Sequence, residues 1–231
     1  IGLRQHLGAA MFQTYDSESS GGNTAERVAK LRATFDALGV DGILVPRVDE
    51  HQGEYVAARS ERLAWLTGFT GSWGQALILR QSAHVFVDGR YTVQAAQQLD
   101  PAVFKVEDLV GTPPSKWMPD RLGKGARIGF DPWLHTIGEV KSLETAVAKF
   151  GGALVPLEAN PIDAIWDDQP EPPLGTVTIQ PLEFAGKTAR EKIEDMKAAL
   201  AKAGADATVL TDPSSPTWMF NIRGADVPPT P

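Results

Sequence analysis

Asp49, Glu50 and His51 put two carboxylates and an imidazole on consecutive positions, and these are side chains that ligate divalent metals. Neighbours on an irregular loop converge poorly on one ion, and no second His follows at H-E-x-x-H spacing. The spacing therefore favours a solvated loop. Residues 68–74, GFTGSWG, are as glycine-rich as a phosphate-cradling loop but lack the Gly-Lys-Ser/Thr that completes one. Gly68, Gly71 and Gly74 are read as turn positions, with Trp73 left available for contact at an edge or with a partner. Arg62 is a permanent cation ahead of an apolar run, open to ion pairing or to substrate contact. Asp88-Gly89-Arg90-Tyr91 reads as a turn after a strand, held by an Arg-Asp ion pair. His6, His84 and His135 have no base or nucleophile beside them, and no G-x-S-x-G elbow is present. The absence of Cys excludes thiolate nucleophiles, disulfides and Cys-ligated zinc.

These residues need a scaffold, and the composition supplies one. With 42% hydrophobic and 22% charged residues, the 231-residue chain is globular, one large domain or one and a half ordinary ones. A net charge of -7 opposes nonspecific nucleic-acid binding, which draws on excess Lys and Arg. No apolar run reaches the roughly 18 residues of a membrane-spanning helix. The first residues lack a long apolar signal segment, so a cytoplasmic setting is expected.

Residues 1–24 read as a flexible tail in which Thr24 caps a helix whose face is Val28, Leu31, Phe35 and Leu38, closed by Gly39. GILVP at 42–46 reads as a buried strand, and LAWLTGF at 63–69 as a second apolar run that glycines interrupt. QALILR at 75–80 and HVFVDGRY at 84–91 form a hairpin. A helix over TVQAAQQL, strands over AVFKVEDL and ARIGFD, a helix ending at Gly151 and a strand over ALVPLE follow. This alternation predicts α/β layering around a central sheet. The five prolines between residues 160 and 181 mark a connector. Beyond it come a helix over 187–204, a strand ATVLT at 207–211 and a strand-like run of Trp218, Met219 and Phe220.

Shifted by 165 positions, the start of the chain overlays the region after the connector. Val28, Leu31, Phe35 and Leu38 land on Ile193, Met196, Leu200 and Ala203, and Gly39-Val40-Asp41 on Gly204-Ala205-Asp206. After a shorter loop, Ala64-Trp65-Leu66 meets Thr217-Trp218-Met219, which places Trp65 and Trp218 in matching core strands. Trp117 and Trp166 are read as packing or interface residues. Duplication predicts one whole copy to about residue 160 and the opening of a second.

Several stretches, in order along the chain, resemble aminopeptidase P, the Xaa-Pro aminopeptidase branch of the creatinase/prolidase superfamily. They are DEHQGEY, RLAWLTGFTGSWGQALI, VDGRYTVQAAQQL, IGFDPWL, NPIDAIWDDQPEPP and WMFNIRGADVP. Thr230 departs from the pattern, since many members carry Asn there. The resemblance implies a creatinase-type N-terminal fold, a mixed sheet flanked by helices, over residues 25–160. A Pro-rich connector at 161–181 and the truncated start of a second, related domain at 182–231 would follow. A pita-bread metallopeptidase domain would lie beyond Pro231 and hold two divalent ions, usually manganese, through two Asp, one His and two Glu. The implied activity is removal of an N-terminal residue from peptides with proline at the second position, by metal-bound hydroxide. This part would carry neither catalytic residues nor metal ligands; it would shape and gate the cleft and support a homo-oligomer, a dimer. Arg62, His51 and Trp73 are its candidate substrate contacts. Two further readings stay open: a non-catalytic peptide-binding relative, and a creatinase-like amidinohydrolase.

Overall fold

The computed structural model of the chain describes residues 22–226. The tail at 1–21 and the stretch 227–231, including Thr230, lie outside them. The N-terminal helices are α1 (Thr24–Ala33) and α2 (Phe35–Leu38), followed by β1 (Gly42–Pro46) and α3 (Arg62–Thr67). The hairpin β2 (Gly74–Leu79) and β3 (Ala83–Val87) leads to α4 (Thr92–Gln98), β4 (Lys105–Asp108), α5 (Pro114–Trp117) and β5 (Arg127–Phe130). Then come α6 (Ile137–Ala148), β6 (Ala153–Pro156), β7 (Thr178–Ile179), α7 (Leu182–Ala185), α8 (Ala189–Ala203), α9 (Ser214–Phe220) and β8 (Ile222–Arg223).

β1 to β6 form one mixed sheet in the order β4-β3-β2-β1-β5-β6. Only β2 is reversed, pairing antiparallel with β1 and β3, while β1, β5 and β6 run parallel, as do β3 and β4. Strand side chains alternate between faces, and the two cores divide accordingly. Ile43, Val45, Ala76, Ile78, Val85 and Val87 pack with Val28, Leu31, Phe35, Leu63 and Leu66 from α1 to α3. Leu44, Leu77 and Phe86, the alternate positions, pack with Trp117, Met118, Leu143 and Val147 beneath α5 and α6. The expected mixed sheet flanked by helices is what the chain folds into.

Several local expectations are corrected. Asn23, at φ 88, occupies the cap of α1, and Thr24 is the first helical residue. Residues 62–67 are helical: Leu63 and Leu66 lie one turn apart and are both fully buried, a helical period that a strand would split between faces. Trp218, Met219 and Phe220 likewise sit in a helix, and Trp218 is exposed among the described residues rather than core. ATVLT at 207–211 is not a strand. A strand exists through its neighbours' hydrogen bonds, and no described strand runs beside it; Val209 is exposed. Trp117 and Trp166 are buried packing residues.

The internal correspondence extends into the backbone. Asn23 and Thr188, 165 apart, occupy the N-cap positions of α1 and α8, but only Thr188, which is extended, caps with its side chain, in a full capping box with Glu191; Asn23 is left-handed and makes no side-chain cap bond. Gly39 and Gly204 both take the left-handed conformation, at φ 64 and 66. The amides that follow, of Val40 and Ala205, each donate to the carbonyl five residues back, Phe35 or Leu200, at 3.0 Å. Gly68 and Asn221 end α3 and α9 in the same left-handed way. Lys192, buried under α9, donates to the Trp218 carbonyl at 2.8 Å and to Asn221 Oδ1 at 2.6 Å.

His84 is buried on β3 against Trp117, with ring centroids 4.3 Å apart. Its Nδ1 lies 2.9 Å from Glu107 and its Nε2 3.0 Å from Ser82 Oγ. Burial pushes the imidazole below its ordinary value, with Glu107 opposing. A folded value below the unfolded 6.5 means that stability is full above that pH and is lost as pH falls through the folded value. Urea midpoints followed from about pH 7.5 to 5 should fall more steeply in the parent chain than in His84→Gln.

Candidate functional site at the carboxyl edge of the sheet

Because only β2 is reversed, the carboxyl ends of β1, β3, β4, β5 and β6 and the start of β2 share one edge. That edge carries the loops of interest: His51 after β1, Trp73 before β2 and Arg90 after β3. In open α/β sheets this is the edge where ligands bind.

The loop after β1 is shaped by Asp49. Its buried carboxylate accepts from the amides of His51 and Gly53, both at 3.0 Å, and Gln52 adopts φ 59. Asp49 is thus committed to its own loop, while the His51 side chain is exposed. Among the described residues no group of three or more His, Asp or Glu is placed to hold a metal ion.

The loop before β2 is folded around Phe69. A Cβ on Gly71 would sit 2.3 Å from the Phe69 ring, so only glycine lets the chain pass. Phe69 packs edge-on against Tyr91 at 5.6 Å. Tyr91 Oη lies 2.8 Å from Ser72 Oγ, which donates to Glu54 at 3.2 Å. Ser72 therefore joins three loops and leaves its neighbour Trp73 about half exposed. Arg90 lies over the Tyr91 ring at 5.1 Å and pairs with Asp88 at 2.7 Å, holding the Asp-Gly turn.

Arg62, at the start of α3, is buried. Its Nε and Nη2 donate to the two carboxylate oxygens of Asp163 at 2.7 and 2.8 Å. Nη1 is buried without a hydrogen-bond partner. Burial works against the charge, but Asp163, Asp131 and Glu50 hold the guanidinium above its ordinary value. Nearby, Arg47 donates to Glu61 at 2.9 Å, and burial raises the Glu61 carboxyl against the pull of Arg47. The edge thus brings His51 and Trp73 to the surface and keeps Arg62 beneath it. Sequence reasoning missed Asp163, Ser72 and Glu54. Asp163 lies 101 residues from its partner, inside a stretch read as connector, where nothing local marks it.

The family model described as Creatinase/Prolidase N-terminal domain matches residues 27–165, more than half of the chain. The chain belongs to this family. A second model of the same description matches residues 168–231. Among curated relatives, a "Probable Xaa-Pro aminopeptidase P" of Paracoccidioides brasiliensis is 36% identical over 212 residues, 90% of this chain and 34% of that protein. One of the same description from Neosartorya fischeri is 35% identical over 231 residues, 99% of this chain and 35% of that protein. The creatinase/prolidase chain superposes on the X-prolyl aminopeptidase of Caenorhabditis elegans with a TM-score of 0.81 at 32% identity, over 89% of this chain and 36% of the other. That protein is described as a cytosolic enzyme with a di-nuclear active site. The chain spans about a third of the length of these relatives. The resemblance to aminopeptidase P is therefore upheld. No helix among the described residues is long and apolar enough to cross a membrane.

Proposed function

We propose that this chain is the N-terminal, non-metal-binding part of a proline-specific metalloaminopeptidase, which removes the first residue of peptides with proline second. The observation that carries this reading is the 0.81 superposition on an X-prolyl aminopeptidase of which the chain covers only 36%. The two divalent ions, manganese by family resemblance, would be held by the remainder of the longer protein. Residues 25–160 form a first unit, 161–181 a connector and the residues from 182 the opening of a second, related unit. The cytoplasm is the proposed compartment, by analogy with the cytosolic relative.

In this reading the carboxyl edge is a wall of the substrate cleft. His51 and Trp73 face the peptide, and Arg62 presents its one unpartnered nitrogen from below. The wall admits short, extended N-termini and holds them in register, so that binding energy is spent on orientation. A homo-oligomer, a dimer, would close the cleft further; light scattering of the longer protein tests this. The activity test is hydrolysis of an Xaa-Pro peptide with added Mn²⁺. The expected result is turnover by the longer protein and none by residues 1–231. Hydrolysis by this chain alone, surviving repurification, would overturn the reading.

A further inference from the structure

We infer that residues 161–170 are a strap locked onto the first unit, and that Arg62 and Asp163 are positioning residues that set how the second unit is presented. The proline-rich composition suggests a loose linker, yet the strap's contacts are those of a packed element. Ile162 and Trp166 are buried in the core of the first sheet. Trp166 stacks on Trp65 with ring centroids 5.1 Å apart and planes 17° from parallel. Asp163 takes both forks of Arg62. Gln169 Nε2 donates to Asp163 at 2.8 Å and to the Arg59 carbonyl at 3.0 Å, and Arg59 donates back to the Pro170 carbonyl at 3.3 Å.

Attachment to the second unit begins at once. The Gly175 amide donates to Asp226, and β7 pairs with β8. Only Glu171, Pro172, Pro173 and Leu174 lie between the two sets of contacts, and all four are exposed. Two prolines fix their own φ and favour an extended spacer, so four residues reach about 12 Å. A spacer this short and stiff carries the position of its anchored end to whatever follows. Asp163 is on the strap and Arg62 is on α3, so their bidentate pair fixes that end against sliding as well as detachment.

The inference does not depend on the proposed activity. Residues 1–231 contain no Cys, so spin labels can be placed cleanly in this chain at Gln81→Cys, on the β2–β3 turn, and Ala199→Cys, on α8. The expected result is a single narrow distance distribution in the labelled parent. Arg62→Ala and the isosteric Asp163→Asn should each broaden it by about twofold, because the anchored end then gains freedom to slide and the stiff spacer passes that freedom on. The swap Arg62→Asp with Asp163→Arg should narrow it again, which a general loss of packing would not allow. Far-ultraviolet exciton coupling of the Trp65–Trp166 pair should weaken in the single variants. Should Arg62→Ala fail to fold, Asp163→Asn gives the same reading. A distribution already broad in the parent, or unchanged by Asp163→Asn, would overturn the inference.

Discussion

Phe69→Ala is expected to lower the unfolding free energy by about 3–5 kcal/mol, the range for truncating a fully buried aromatic ring. The ring has no exposed surface and is held on several sides. Leu63 and Leu66 share its core, Tyr91 meets it edge-on, and Gly71 and Gly74 lie against it too closely for any side chain. Because backbone rather than flexible side chains forms part of that contact, the cavity cannot collapse cheaply, and the upper half of the range is expected. The loss would be a large share of the roughly 5–15 kcal/mol typical of a domain. Urea denaturation should show a lower midpoint at an unchanged slope. Hydrogen exchange should quicken through residues 70–73, since the ring is what folds the Trp73 loop. A loss below about 1 kcal/mol would show that the loop is held by the Ser72, Tyr91 and Glu54 bonds instead.

What the sequence discloses here depends on how far apart the determining residues lie. Strands β1, β2 and β3 send apolar side chains to two faces, a local pattern, and a central sheet within α/β layers could be read from it; that the sheet is mixed came from the family resemblance. Gly39 and Gly204 end helices for a reason internal to one residue, positive φ, and they were legible as punctuation. Residues 63–67 were ambiguous because a short apolar run satisfies a strand and a buried helix equally; the one-turn spacing of Leu63 and Leu66 decides it only once their common core is known. ATVLT has strand composition, but composition cannot supply the neighbour that a ladder requires.

The candidate site divides along the same line. His51 is exposed on a loop that Asp49 bonds to itself, as an Asp-x-x-x-Gly stretch hints, whereas the loop of Trp73 is held by Glu54, Tyr91 and Gln98 on other segments, which nothing local marks. The fate of Arg62 was open between ion pair and peptide contact, because its partner is 101 residues away and only the fold brings them together. The structure shows the ion pair: two of its nitrogens are held by Asp163, and the third is buried without a partner.

Trp166→Ala, which removes the stack on Trp65 of α3, should cost about 3–5 kcal/mol, while Lys30→Ala, which removes an ion pair between this stretch and α1, should cost well under about 1 kcal/mol. The contrast follows from solvent. Lys30 reaches Asp167 at 3.5 Å, but their side chains are 46% and 85% exposed, so water screens the pair and ordering two long side chains offsets what remains. Trp166 is 9% exposed and its indole lies on Trp65, which also has the Arg27 guanidinium 4.8 Å from its ring centroid. Removing Trp166 opens a cavity and leaves one face of Trp65 uncovered. Trp166→Phe keeps an aromatic ring on that face and should lose less than about 2 kcal/mol. The order Lys30→Ala, Trp166→Phe, Trp166→Ala, from smallest loss to largest, is therefore the expected result of parallel urea titrations. If Lys30→Ala cost as much as Trp166→Ala, the proline-rich stretch would be held by charge rather than by burial, and raising the salt concentration would release it.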